Sequence, residues 1–216
     1  MKLDLALLAQ NDVGEGPLWD FTRQELVWID VTQGLIHRLD PISNAHSTLA
    51  IGMHIGAIAL FNEDFWIAAV RDGFATISKK DGSLSYLSKV LFDETMRFND
   101  GKCDPAGRFI AGTMRYRPEP GTAGLYSYNS AGEVHEILDS VGLSNGLCWD
   151  QSGEHFFYID TLTNEISQFD YDIAAGMLHN KGTFYSFNGE LGSPDGLTID
   201  GAGNLWIALW GGSKVL

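Results

Sequence analysis

The chain has 216 residues, with 14 Lys+Arg against 28 Asp+Glu for a formal net charge of −14; 44% of its residues are apolar and only 19% charged. That balance repels nucleic-acid phosphate and anionic lipid headgroups, which excludes a backbone-tracking or polybasic partner mode, and its apolar content excludes a disordered chain. Neutral, cationic and metal partners remain.

In chain order, the first strand-like segment runs from Leu3 to Ala9 and has no partner in its own neighbourhood. After it one pattern recurs: a glycine, a short apolar run, a turn residue, then a second run rich in aromatic and β-branched residues. The copies open at Gly16, Gly56, Gly101, Gly146 and Gly196, at intervals of 40, 45, 45 and 50 residues. Four strand-like runs per copy at that period predict an all-β chain of four-stranded antiparallel propeller blades. The fourth copy is the clearest, with strands expected over 145–150, 155–160, 165–172 and 183–187, and turn residues such as Gln151-Ser152-Gly153 between them. No capped amphipathic stretch of helical length occurs; the nearest, Lys89 to Arg97, lacks a sustained 3.6-residue period. The reading is one domain over 1–216, with blades starting near 15, 55, 99, 145 and 195. The fifth copy stops near its third strand, so about four and a half blades are expected. A ring closed by Leu3 to Ala9 would then lack a C-terminal piece on the order of 70 to 80 residues.

Cys103 and Cys148 are too few for a disulfide framework, and no Asn-x-Ser/Thr acceptor occurs. The opening ten residues are interrupted by Asp4, and no window approaches about 18 apolar residues. The expectation is a cytoplasmic chain with reduced thiols, no membrane contact and no obligate protein partner.

First strands of blades line the central channel, so residues at equivalent positions form a ring. Just before each repeat glycine stand Glu15, Ile55, Asp100 (preceded by Asn99), Asn145 and Asp195. Four of the five carry side-chain oxygens where plain packing would call for Val, Ala or Leu. Carboxylates and carboxamides gathered in a low-dielectric channel need compensation, and a bound cation is the natural one. An all-oxygen donor set selects a hard divalent ion.

At these residues the sequence resembles the regucalcin and gluconolactonase family, the senescence-marker-protein group of six-bladed propellers. The matching segments are Glu15 to Trp19, Arg97 to Pro105, Gly107 to Phe109, Ala111 to Met114, Ser144 to Leu147, Tyr158 to Thr161 and Ser193 to Leu197. The resemblance implies a metal-dependent lactonase acting on sugar-derived lactones. Glu15, Asn145 and Asp195 would hold one divalent ion, with Asn99 as a further contact; Ca²⁺ is expected first, with Zn²⁺, Mn²⁺ or Mg²⁺ as the other candidates. Arg97, Asn99 and Glu119 would meet the substrate. Glu119 is the first acid after the Gly-Thr-Met segment, where Arg115-Tyr116-Arg117 stand in place of the acidic residues common in relatives. Asp195, a carboxylate beside the ion, is the expected base for the attacking water, and Asp100 is expected to steer Asn99 or Arg97. The alternative is a non-catalytic calcium-binding or protein-interaction propeller.

Other features are read as structural. Trp19-Asp20 and Trp149-Asp150 are read as core tryptophans with turn aspartates, and Lys79-Lys80 as a solvated turn. Gly14-Glu15-Gly16 and Gly211-Gly212-Ser213-Lys214 lack the context of nucleotide loops. Among the histidines only His54 is a candidate for the pocket wall.

Overall fold

The computed structural model describes residues 4–189 and 191–216. Of the strand expected from Leu3 to Ala9, Leu3 lies outside the described residues, and residues 4–9 form no strand.

Five antiparallel sheets follow one another along the chain, each with its strands in sequence order. The first contains β1 (Gly14–Asp20), β2 (Glu25–Asp30), β3 (Leu35–Leu39) and β4 (His46–Ala50). The second contains β5 (Ile55–Leu60), β6 (Phe65–Val70), β7 (Gly73–Ser78) and β8 (Leu84–Lys89), and the third β9 (Met96–Cys103), β10 (Phe109–Arg115), β11 (Ala123–Tyr128) and β12 (Val134–Val141). The fourth is built of β13 (Ser144–Trp149), β14 (His155–Asp160), β15 (Glu165–Asp172) and β16 (Met177–Ser186). In the fifth, β17 (Ser193–Ile199) and β18 (Leu205–Trp210) are joined by the short β19 (Lys214–Val215). These are propeller blades, as the repeat predicts. The fourth strand of blade four begins at Met177, earlier than the expected 183. The only helix among the described residues is a 3-10 turn at Thr161–Thr163.

Alternation within single strands explains how blades stack. In β14, Phe156 and Tyr158 face blade three and join Ile110, Leu125, Leu147 and Trp149, while Phe157 and Ile159 face blade five and join Leu197, Ile207 and Leu209. A strand buried on both faces therefore reads as an unbroken apolar run. Blades one and two share a comparable core around Val27, Ile29, Ile55, Trp66 and Ile77. Trp149 lies in the core at 7% exposure, whereas Trp19 is 44% exposed, a correction to its expected burial. Trp19 takes no part in the core that blades one and two share, and among the inner strands β1 packs against β5 of blade two.

A side-chain acceptor closes the turn after each inner strand. Asp20 accepts the N–H groups of Thr22 and Arg23, Asn62 those of Asp64 and Phe65, Asp104 those of Ala106 and Arg108, and Asp200 those of Ala202 and Asn204. Such turns are what Asp and Asn favour. Two of these aspartates also tie blades together. Asp104 accepts from Tyr171 Oη at 2.6 Å and Arg108 Nε at 2.6 Å. Asp20 accepts from Lys79 Nζ at 2.8 Å, with the two side chains 0% and 2% exposed. Lys79 is thus no solvated turn residue. Only Lys80 is exposed.

Candidate active site at the inner-strand bulges

Every inner strand carries one more residue than its partner at the same place. Between Glu15 and Leu18, Ile55 and Ala57, Phe98 and Gly101, Ser144 and Leu147, and Pro194 and Leu197, the register with the second strand slips by one. A bulge of this kind bends the strand and re-aims a side chain. It turns Glu15, Asn99, Asp100, Asn145 and Asp195 toward the channel that the inner strands surround, with β1 packing on β5, β5 on β9, β9 on β13 and β13 on β17. Two of the repeat glycines, Gly56 and Gly146, serve this closeness. A Cβ on Gly146 would stand 2.7 Å from the Asp195 carbonyl oxygen, and one on Gly56 would stand 2.6 Å from the Phe98 carbonyl carbon.

The side chains form a connected polar set. Asn99 Nδ2 donates to the Ser144 carbonyl at 2.8 Å and to Asn145 Oδ1 at 3.3 Å. Asn145 Nδ2 donates to Thr161 Oγ1 at 3.0 Å, and the Asn145 amide also bonds the Asp195 carboxylate. Arg97 donates to the Phe98 carbonyl at 2.9 Å and lies within electrostatic reach of Glu15. Asp100 accepts the Gly101 N–H at 2.7 Å; that bond ties it to its own strand, and no hydrogen bond to Asn99 or Arg97 accompanies it among the described contacts. Lys102 crosses from blade three to the Leu197 carbonyl at 3.2 Å and offsets part of the Asp100 charge.

The carboxylates raise one another's pKa. Burial, then the charges of Asp195 and Asp100, push Glu15 up to about 8, with Arg97 pulling the other way. Burial and Asp100 push Asp195 up to about 6 against the hydrogen bond from Asn145. Burial also raises Asp100. Both Glu15 and Asp195 bind a proton more tightly in the folded chain than in the unfolded one. As pH rises from the ordinary carboxylate range toward about 8, the folded state therefore gives up stability that it holds at lower pH. In EDTA, the melting temperature of the wild type is expected to fall more steeply between about pH 5 and about pH 8 than that of Glu15→Gln. Parallel slopes for the two proteins in a thermal-shift series would contradict this.

The donor chemistry fits a hard divalent ion. Glu15 and Asp195 supply carboxylates, and Asn145 and Asn99 supply carboxamides that already lie in one network. No three His, Cys, Asp or Glu side chains group around a metal position among the described residues. A set completed by carboxamides is outside that pattern.

Glu119 stands apart. It lies in the exposed turn between β10 and β11, and its backbone carbonyl accepts from Thr122 Oγ1 at 2.8 Å. The rim above Arg97 is formed instead by His54 and Tyr116, whose Nδ1 and Oη lie 2.9 Å apart. Burial, then the charges of Arg97 and Arg71, hold His54 below the usual imidazole range. Tyr116 was not among the expected residues, although its place within Arg115-Tyr116-Arg117 was a signal. Cys103 and Cys148 are free, and burial, with Asp104 adding for Cys103, pushes both thiols up to about 11, unsuited to a nucleophile.

Residues 13–216 match the family model described as SMP-30/Gluconolactonase/LRE-like region. The Bacillus subtilis (strain 168) protein named "Putative sugar lactone lactonase YvrE" is 40% identical over 205 residues, covering 94% of this chain and 70% of that one. Regucalcin of Danio rerio is 34% identical over 218 residues, covering 100% of this chain and 74% of its own. Among solved structures, a regucalcin from Agrobacterium tumefaciens superposes with a TM-score of 0.90 at 25% identity, covering 96% of this chain and 70% of its own.

Proposed function

Because the chain belongs to the SMP-30/gluconolactonase/LRE-like family, we propose that it is a cytoplasmic, divalent-metal-dependent hydrolase that opens sugar-derived lactones. The observation that carries this reading is the convergence of Glu15, Asn145 and Asp195, from three different blades, beside Arg97 and Asn99. Glu15, Asn145 and Asp195, with Asn99, are the residues that would hold the ion. When bound, a divalent cation supplies an electrophile for the lactone carbonyl and positive charge for the developing oxyanion; Ca²⁺ is the first candidate, with Zn²⁺, Mn²⁺ and Mg²⁺ after it.

The chain's own residues divide the remaining work. Asp195 takes the proton of the attacking water at its carboxylate, and later returns it to the ring oxygen as that bond breaks. Arg97, half-buried and within electrostatic reach of Glu15, donates to the lactone's ring or hydroxyl oxygens. Asn99 keeps its nitrogen on the Ser144 carbonyl and Asn145 Oδ1, and its own Oδ1 is the atom it would offer to the ion or the substrate. His54 and Tyr116 border the approach above Arg97 and shape which sugar enters.

One observation favours a second reading, a cation-binding propeller without catalysis. The Agrobacterium tumefaciens regucalcin is described as a calcium-binding protein. Arg97 decides between the two, since an ion that only holds blades together does not need it. The test is a pH-stat assay on gluconolactone and other sugar lactones, with EDTA and with each ion added back. It is run on this chain and on the chain joined to the part of the Bacillus subtilis relative outside the match. A rate above spontaneous hydrolysis that EDTA abolishes supports the lactonase; ion binding with no rate in either form supports the second reading.

A further inference from the structure

Thr161, at the start of the 3-10 turn after β14, makes two hydrogen bonds through one hydroxyl. Its Oγ1 lies 2.8 Å from the Pro194 carbonyl and 3.0 Å from Asn145 Nδ2. A hydroxyl has one proton, and a carbonyl oxygen can only accept, so that proton lies on the bond to Pro194. Toward Asn145 the hydroxyl can then only accept. The end of the Asn145 amide facing it must be the nitrogen, which turns Oδ1 inward toward the Asn99 amide. We infer that Thr161 is a positioning residue that selects the amide orientation of Asn145 and thereby presents its oxygen, not its nitrogen, to the cation site.

The surroundings hold Thr161 to this task. The Asp160 carboxylate accepts the N–H groups of Gly142 and Leu143, both at 2.9 Å, and that of Leu162 at 3.2 Å. The Thr161 N–H itself donates to the Leu143 carbonyl at 3.0 Å. The turn is thus locked to the segment that leads into β13, where Asn145 sits. On the other side Pro194 immediately precedes Asp195, so the same hydroxyl ties the strand carrying Asp195 to the amide of Asn145. Asn99, Asn145, Thr161 and Pro194 form one chain of hydrogen bonds across blades three, four and five. An Asn145 amide turned by half a rotation would aim an NH₂ donor at a cation, which removes a ligand and adds repulsion. The other partners of Asn145 agree with this orientation: the Asp195 carboxylate accepts from the same amide nitrogen, and the Asn99 nitrogen, held on the Ser144 carbonyl, donates to Oδ1.

The inference rests on the reading of the ring as a cation site, and the test separates the two. Thr161→Val keeps shape and volume but loses the hydroxyl; Thr161→Ser keeps the hydroxyl; Thr163→Val removes a hydroxyl from the same turn that only bonds the Asp160 carbonyl. Mn²⁺ affinity by calorimetry is expected to fall about 10- to 100-fold in Thr161→Val and to stay near wild type in Thr161→Ser and Thr163→Val. In the metal-free proteins, the side-chain NH₂ signals of Asn145 should exchange with solvent faster in Thr161→Val alone. Wild-type affinity together with unchanged Asn145 exchange in Thr161→Val would overturn the inference. Should the wild type bind no Mn²⁺, the cation-site reading falls, and the exchange measurement alone decides whether Thr161 orients Asn145.

Discussion

Asp195→Ala is expected to lower metal-dependent lactone opening by about a thousandfold or more, because it removes a cation ligand and the base together. Asp195→Asn separates the two roles. Its carbonyl oxygen can still meet an ion, but it cannot take a proton from water. Cation binding should therefore survive in weakened form, while kcat falls by about 10²- to 10⁴-fold, the usual contribution of a positioned base. Calorimetry and the pH-stat assay on the same preparations read the two effects apart. Most of the activity remaining in Asp195→Asn would remove Asp195 as the base; most of it remaining in Asp195→Ala would remove it as ligand as well. The raised pKa of about 6 belongs to the metal-free carboxyl. An adjacent cation pulls it down again and keeps it ionised at neutral pH.

The largest stability effect is expected away from the channel, at Asp20. Asp20→Ala leaves the Lys79 ammonium buried with no counter-charge and removes the acceptor that closes the β1–β2 turn. Breaking one side of a buried pair costs about 3–5 kcal/mol. The Trp66 ring, 5.7 Å from Lys79 Nζ, offsets only a fraction of that loss. Burial alone would raise the Asp20 carboxyl, yet Lys79 and the Arg23 and Thr22 N–H groups hold it below the usual range. Its contribution is present above the ordinary carboxylate pKa and is lost as pH falls through the depressed value. The double variant Asp20→Asn/Lys79→Met should recover a large part of the loss, since an apolar side chain tolerates the site that an unpaired charge does not. Urea unfolding that shows Asp20→Ala within about 1 kcal/mol of wild type would contradict this account.

Blade repetition was legible in the sequence because each copy places a glycine inside its first strand and an aspartate or asparagine where the following turn closes. The ring was legible for the same reason: Glu15, Asn145 and Asp195 each precede a repeat glycine. What sequence spacing did not reveal was the bulge that aims them, since an extra residue in one strand is visible only against its partner. Lys79 read as solvated because Lys79-Lys80-Asp81-Gly82 has the composition of a surface turn; its burial depends on Asp20, 59 residues earlier. Trp19 read as core by analogy with Trp149, but similar local sequence met different neighbours. Glu119 was placed by counting acids along the chain, and the turn carries it to the surface. Thr161 carries no signal of its own in the sequence, because its two bonds reach Asn145 and Pro194 on separate strands.

The inner-strand bulges of blades one, three, four and five would together build one cation centre from oxygen ligands. Anomalous scattering from crystals grown with Mn²⁺ measures this directly. One strong peak in the channel, bounded by Glu15, Asn145 Oδ1 and Asp195, is the predicted result; a channel without a peak in crystals soaked to saturation, or a peak held only by other residues, would contradict it.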